Sequence, residues 1–136
     1  MYEFFEHTAD LGLRVRAPDL KSLFEEAGRG LMSMIIDNPE EIRLGQEVSI
    51  CIDGSETDYL LFDWLNELLY RFDGEGLLFG DFNVELHPTG LKAIARGEQL
   101  TTDRHQLSRE VKAITYHQFQ VEQTADGWQA ELIVDI

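Results

Sequence analysis

The 136-residue sequence contains only one cysteine, three prolines and three lysines. These low counts argue against several classes of protein. The lone cysteine, Cys51, cannot form an internal disulfide, which is typical of proteins in a reducing compartment. Long apolar runs are missing too, because residues 31–36 fall far short of the roughly 20 residues that span a bilayer. Residues 1–6 lack the basic flank and the apolar run of a signal peptide. We therefore expect a cytoplasmic protein without a membrane segment.

Positive charge is also scarce. Lysine and arginine together number 11, against 26 aspartates and glutamates, so the formal net charge is -15. Such a surface repels phosphate backbones, and strong direct binding of nucleic acid is not expected. An acidic surface suits a basic protein partner, divalent cations or solubility alone, and most surface carboxylates are simply solvated. The net charge by itself therefore does not indicate a particular function.

The usual catalytic motifs are absent as well. The chain has no P-loop, no G-x-G-x-x-G, no G-x-S-x-G and no H-E-x-x-H. Cys51 lies in an apolar alternating segment with no obvious base beside it in the sequence, which argues against a nucleophile. The histidines are scattered without the spacing of metal ligands. We predict that the protein is not an enzyme.

Hydrophobic periodicity organises the first half of the chain. Residues 2–6 are rich in aromatic side chains, and residues 11–17 and 48–52 alternate apolar with polar positions, so all three predict strands. A helical period covers residues 20–35, with Asp19 as its N-cap.

A second helix is predicted after the third strand. Ser55 and Asp58 have the spacing of a capping box, and an apolar stripe follows over residues 61–72. Asp73-Gly74 is the expected end of this helix. Because the stripe is so rich in large apolar side chains, we expect the second helix to be the central packing element.

The rest of the chain contains no helical period. Asp126-Gly127 is a strong hairpin-turn signal, and the polar segment 97–108 is predicted to be a mobile loop. Strand-like runs cover residues 77–87, 91–96, 111–121 and 128–136. The order of elements predicts one α+β domain over residues 1–136, with two helices packed on one face of a mixed, mostly antiparallel sheet.

Two polar features stand out, and each has an ordinary interpretation beside a functional one. In the turn at residues 6–10, Asp10 could supply a hard oxygen ligand oriented by His7 and Thr8, or these side chains could only shape the turn. At the other end, the Asp135 side chain and the α-carboxylate of Ile136 would repel each other unless a cation or basic group lay between them. Oxygen ligands favour calcium or magnesium over zinc. The alternative is that both groups are solvated and bind nothing.

A late strand adds three polar candidates. Alternation over residues 110–117 places Lys112 and Tyr116 on one side and His117 on the other. A single histidine or tyrosine in a strand is more often structural than catalytic. Lys112, Tyr116 and Asp63 are the residues we consider as contacts for a protein partner.

Four segments in the same order resemble the archease family: residues 5–13, 60–70, 110–117 and 134–136. The resemblance implies an α+β, SHS2-like fold and a non-enzymatic role. Archeases assist the RtcB-type RNA ligase in tRNA splicing and RNA repair, promoting its guanylylation from GTP and its multiple turnover. A chaperone-like scaffold protein without a metal-dependent role is the alternative, and a metal-dependent RNA-modifying enzyme is a further one.

The resemblance also implies a metal site. The family's ligands correspond to Asp10, Asp135 and the terminal carboxylate of Ile136 in this sequence. The expected occupant is a divalent cation, with calcium first and magnesium or manganese as alternatives.

Overall fold

A computed structural model describes residues 1–7 and 10–136 of the protein. The described residues form two α-helices and seven β-strands, together with a short 3-10 turn at Pro39–Glu41. The helices are α1 (Leu20–Ile35) and α2 (Thr57–Glu75). The strands are β1 (Tyr2–His7), β2 (Asp10–Ala17), β3 (Gln46–Asp53), β4 (Leu77–His87), β5 (Gly90–Gln99), β6 (Ala113–Thr124) and β7 (Gly127–Asp135).

The strands divide between two sheets. The first has the order β1-β2-β7-β6 and joins the two ends of the chain, whereas the second has the order β3-β5-β4 and is built from the middle. All pairings between the described strands are antiparallel. The α+β class with two helices against antiparallel strands is confirmed. The expected single sheet is corrected to two, because alternation identifies a strand but not the partner it pairs with.

The two helices and the inner faces of both sheets share one hydrophobic core. The apolar stripe predicted for α2 is buried except for Phe72, which is half-buried, and its largest member, Trp64, is fully enclosed. The Trp64 indole donates a hydrogen bond to the Phe24 carbonyl of α1 at 2.9 Å, and its ring meets Phe82 of β4 edge to face. Helix α1 nevertheless buries nine residues against six for the longer α2 and packs on both sheets, so the central packing role expected of α2 is corrected to α1.

The observed ends of the two helices agree with the sequence predictions for α1 but not for α2. At the start of α1 the Asp19 side chain accepts from the Ser22 amide at 2.8 Å, as predicted. The predicted capping box of α2 does not form, because the cap residue is Glu56 and it makes no side-chain hydrogen bond there. The predicted end at Asp73-Gly74 is also wrong. The helix continues to Glu75, and Gly76 terminates it in the left-handed conformation, with φ of 70°.

Gly74→Ala is expected to stabilise the protein by about 0.5 kcal/mol, because alanine is the better helix former and Gly74 lies inside the last turn. No atom lies within 4 Å of the position that its Cβ would take. The matched control is Gly76→Ala, which should destabilise by about 1 kcal/mol since its φ of 70° disfavours a side chain. Urea unfolding of both variants measures the difference. Destabilisation by Gly74→Ala would contradict the helix end described here.

Part of the polar segment 97–108, predicted to be a mobile loop, belongs to regular structure. Strand β5 runs to Gln99, and Leu107 pairs with Ile36 in an isolated bridge. Glu98 accepts from the Arg43 amide at 2.7 Å, from the Arg104 guanidinium and from His105 Nε2 at 2.9 Å. The polar side chains of this segment are therefore used in an internal network, which a hydrophobic period cannot reveal.

His105 lies at the centre of that network and is only 3% exposed. Its Nδ1 accepts from the Thr101 amide at 2.8 Å, so Nε2 carries the proton that is donated to Glu98. Burial alone would raise the pKa of Glu98, but the hydrogen bonds from Arg43, Arg104 and His105 lower it to about 2.

Because the folded-state pKa of Glu98 lies below its ordinary value of 4.5, the carboxylate stabilises the fold fully above pH 4.5. That contribution is lost as the pH falls towards 2. Glu98→Gln is expected to cost roughly 2 kcal/mol at neutral pH, since charged hydrogen bonds are removed. Urea unfolding across this pH range should show the two proteins converging at the acid end. A constant difference across the range would refute the assignment.

Candidate functional site

The first sheet brings the beginning and the end of the chain side by side. Strand β2 pairs with β7 so that Leu11 lies opposite Val134 and Gly12 opposite Ile133. Continuing this register by one residue sets Asp10, the first residue of β2, opposite Asp135, the last residue of β7. Residues opposite each other in an antiparallel pair have Cα atoms about 4.5–5.5 Å apart and share a face. The register thus brings together the two predicted carboxylate side chains.

Alternation places both carboxylates on the outer face of the first sheet. In β7 the core side chains are Ala130, Leu132 and Val134, so Asp135 points the other way. Asp10 lies opposite it and shares that face. The side chain of Ile136 packs against the core, which holds the end of β7 in place.

Two buried polar atoms lie near this end of the outer face without a hydrogen-bond partner among the described residues. They are His7 Nδ1 and Thr115 Oγ1. His7 lies opposite Asp10 in β1, with 3.7 Å between its Nδ1 and Asp10 Oδ2. Thr115 lies opposite Ile133 in β6. Buried polar groups without partners are uncommon in proteins and point to a bound water or ion.

Apart from His7, the basic groups around the carboxylates are already engaged or contribute only their backbone. Arg14 pairs with Glu131 at 2.7 Å and Glu3 at 2.9 Å, and the hydrogen bond from Arg14 lowers the pKa of Glu3. The Lys112 amide donates to the Asp135 carbonyl at 2.8 Å. Over residues 1–7 and 10–136, no ion pair joins Asp10 or Asp135 to a lysine or arginine. No lysine or arginine among these residues therefore relieves the repulsion, which leaves a cation, or His7 beside Asp10, to do so.

The donor set is small and consists of oxygen atoms. Within the part of the chain that the structure describes, no three His, Cys, Asp or Glu side chains are grouped to hold a metal. The residues that could hold an ion are the two opposed carboxylates and the terminal carboxylate of Ile136. Such a set suits calcium or magnesium, which complete their coordination with water or phosphate oxygens. Thr8, expected to orient Asp10, lies outside the described residues.

Strand β6 differs from its prediction, and Thr115 was missed as a neighbour of the site. The predicted strand over residues 111–121 begins at Ala113, and its pairing with β7 shifts between Thr115 and Gln120. Alternation is valid as far as Thr115, whose place on the outer face follows from the buried Ile114 beside it. Beyond it the bulge ends the regular pattern. Only knowledge of the pairing partner could have placed Thr115 near Asp135.

Comparison with known proteins identifies the family. Residues 2–136 match the Archease protein family. The chain belongs to the archease family. It is 40% identical to the protein archease of Pyrococcus furiosus, over 99% of this chain and 98% of that one. It is 41% identical to the protein archease of Methanopyrus kandleri, over 99% of each chain.

Solved structures confirm the fold. The solution structure of Methanobacterium thermoautotrophicum protein 1598 has a TM-score of 0.88 and 31% identity, covering 99% of this chain and 98% of that one. A Thermotoga maritima archease, described as a possible chaperone, has a TM-score of 0.71 at 23% identity, with 97% and 94% covered. The second likeness supports the fold alone. In the described residues, neither helix has the length and apolar character needed to cross a membrane.

Proposed function

We propose that the protein activates an RtcB-type RNA ligase by promoting its guanylylation and multiple turnover in tRNA splicing and RNA repair. It would act through a divalent-metal centre formed by Asp10, Asp135 and the terminal carboxylate of Ile136. The observation that carries the proposal is the register of β2 against β7, which sets Asp10 opposite Asp135. Membership of the archease family supports the partner.

The two opposed carboxylates favour a cation for a simple electrostatic reason. Like charges directly opposite each other on neighbouring strands destabilise a sheet, and a divalent ion between them removes that repulsion. Three carboxylates would leave several positions of a calcium ion free for water or for phosphate oxygens. When bound, the ion would offset negative charge on the triphosphate from which the ligase is guanylylated. Asp10 and Asp135 would hold it at the edge of a rigid sheet.

The bulk charge supports a protein partner over an RNA substrate. A net charge of -15 favours contact with a basic protein surface and opposes binding to phosphate backbones. The free and exposed Cys51 suits a reducing compartment, so we place this activity in the cytoplasm.

A guanylylation assay at limiting ligase tests the proposal. Labelled GTP reports the fraction of ligase that is guanylylated, and ligated RNA per ligase molecule reports turnover. With the protein present, both should rise, and the protein alone should produce no ligated or modified RNA. Equal guanylylation with and without the protein would exclude the proposed role.

A chaperone-like scaffold is the second candidate, because the Thermotoga maritima relative is described as a possible chaperone. Such a protein would act through exposed apolar patches and not through carboxylates. It would protect unrelated aggregating proteins and would tolerate Asp135→Asn. A light-scattering assay with an aggregating enzyme, run with both versions of the protein, separates the two candidates.

A further inference from the structure

Four aromatic rings cluster where α2 faces β6, and we call this set the aromatic patch: Tyr59, Phe62, Tyr116 and Phe119. Tyr116 stacks on Tyr59 with centroids 4.9 Å apart and planes 2° apart, and on Phe119 at 5.6 Å and 9°. Phe62 meets the edges of this stack, at 5.2 Å from Tyr116 and 5.7 Å from Phe119. The patch is a continuous aromatic surface contributed by two elements.

The outer part of the patch is open to solvent. Tyr59 is 51% exposed and Tyr116 is 38% exposed, whereas Phe119 is buried. Stacked aromatic rings left in water contribute less to folding than the same rings would in the core. Folding therefore accounts for Phe119 but leaves the exposure of Tyr59 and Tyr116 unexplained.

The backbone of β6 is distorted at the same place. The pairing of β6 with β7 shifts between Thr115 and Gln120, and Gln118 has a positive φ of 57°. That left-handed conformation is unfavourable for a residue with a long side chain, and such strain is concentrated at functional sites. The bulge contains Tyr116 and Phe119, the two rings that β6 contributes.

Carboxylates lie beside the rings. The Tyr116 hydroxyl donates to Asp58 Oδ2 at 2.7 Å, and this hydrogen bond raises the pKa of Tyr116. An open depression of 450 Å³ adjoins the patch, and its lining includes Asp58, Glu122, Phe119 and Trp128. The lining residues include no lysine or arginine. Aromatic walls and negative charge therefore meet at one exposed location.

We infer that the aromatic patch and this depression bind an arginine side chain of a protein partner. A guanidinium is planar, so it can stack on an aromatic face while its edges donate to carboxylates. A lysine ammonium lacks the planar face and is more strongly hydrated. RNA bases also stack on tyrosine, but their phosphates are repelled by a chain of net charge -15. The test of this inference needs no ligase.

The probe is a short blocked peptide of alternating glycine and arginine, titrated into the protein and followed by NMR. The ring resonances of Tyr59, Tyr116 and Phe119 should shift together and saturate. The lysine counterpart of the peptide should bind more weakly. Tyr59→Leu should weaken arginine-peptide binding by about fivefold, the size of a cation–π contact. Tyr116→Leu should weaken it as well, because Tyr116 stacks on the Tyr59 ring and holds it in place.

Tyr70→Leu is the matched control, because Tyr70 is also on α2 and is 65% exposed, yet no ring contact is found for it among the described residues. Its binding of the peptide should be unchanged. Circular dichroism melts check that each variant is folded, and Tyr59→Leu keeps the test decisive if Tyr116→Leu unfolds. Unchanged binding by folded Tyr59→Leu would overturn the inference. So would shifts spread evenly over the acidic surface, or stronger shifts of the same rings with oligouridine.

Discussion

Asp10→Asn and Asp135→Asn are each expected to abolish stimulation of ligase guanylylation while leaving the fold intact. Asparagine keeps the shape of the side chain but removes the charge that a hard cation needs. Loss of an outer-shell partner of a metal ligand already costs 10- to 100-fold in affinity, so loss of a ligand should cost more than about 100-fold. Both residues lie on the outer face of the first sheet, away from the core.

Stability should change in the opposite direction to activity. Without metal, each of the two substitutions removes a like-charge repulsion between directly opposed residues and should stabilise the protein by about 0.2–1 kcal/mol. Calcium should then raise the melting temperature of the wild-type protein only. This contrast distinguishes a metal ligand from a residue that only supports the fold. Substituting a residue of the second kind would lower both the stability and the stimulation of guanylylation.

Calorimetric titration with calcium, circular dichroism melts and the guanylylation assay measure these effects. Glu85→Gln is the control, because it removes an exposed carboxylate on β4 in the second sheet and should change none of the three. A glycine added after Ile136 moves the terminal carboxylate and should weaken calcium binding as well. Full stimulation by folded Asp135→Asn would remove the metal centre from the mechanism, although the ligase could still be the partner.

Local signals predicted the elements well where a single residue determines the outcome. Asp19 caps α1 because its side chain reaches the Ser22 amide, and that geometry depends only on neighbours in sequence. Ser55 and Asp58 have an equally good spacing, yet the cap of α2 is Glu56. Spacing permits a cap without requiring it, because the packing of the helix decides where its first turn begins.

Pairing between distant segments could not be read from the sequence. The alternation of β2 and β7 predicts two half-buried strands, but only the folded chain sets Leu11 opposite Val134. The proposed site depends on that register. The positions of Asp10 and Asp135 and the resemblance to a family predict them as ligands, and the register of β2 against β7 is consistent with that prediction. Whether an ion binds there stays a prediction.

The remaining wrong predictions have one physical cause. Hydrophobic periodicity describes only segments whose backbone is regular. The bulge around Gln118 resets the alternation of β6, so the two-residue period predicted over residues 111–121 does not continue as far as Gln120, although Tyr116 still faces α2. The burial of His105 could not be predicted, because His105 lies in a polar segment and its hydrogen-bond partner, Glu98, is also polar. Irregular backbone and polar networks are decided by tertiary contacts that a single sequence does not display.

Gly97→Ala should be the most destabilising small substitution in the second sheet, with a loss of more than about 4 kcal/mol. A Cβ at this position would lie 1.7 Å from the Leu78 carbonyl oxygen and 2.8 Å from Phe79 Cα. These are backbone atoms of β4, next to the irregular pairing between Phe79 and Asp81, so no side-chain rotation can relieve the contact. The strands β4 and β5 would have to separate locally and lose ladder hydrogen bonds.

Urea unfolding of Gly97→Ala should therefore show a midpoint far below that of the wild-type protein, or no folded state at all, since small domains are stable by only 5–15 kcal/mol. Gly45→Ala is the matched control, because no atom lies within 4 Å of its Cβ position, and its effect should stay within about 0.5 kcal/mol. If Gly97→Ala unfolds at the same urea concentration as Gly45→Ala, the close approach of β5 to β4 described here is wrong. A large loss of stability in Gly97→Ala but not in Gly45→Ala would show that β4 and β5 can approach this closely only because Gly97 has no side chain.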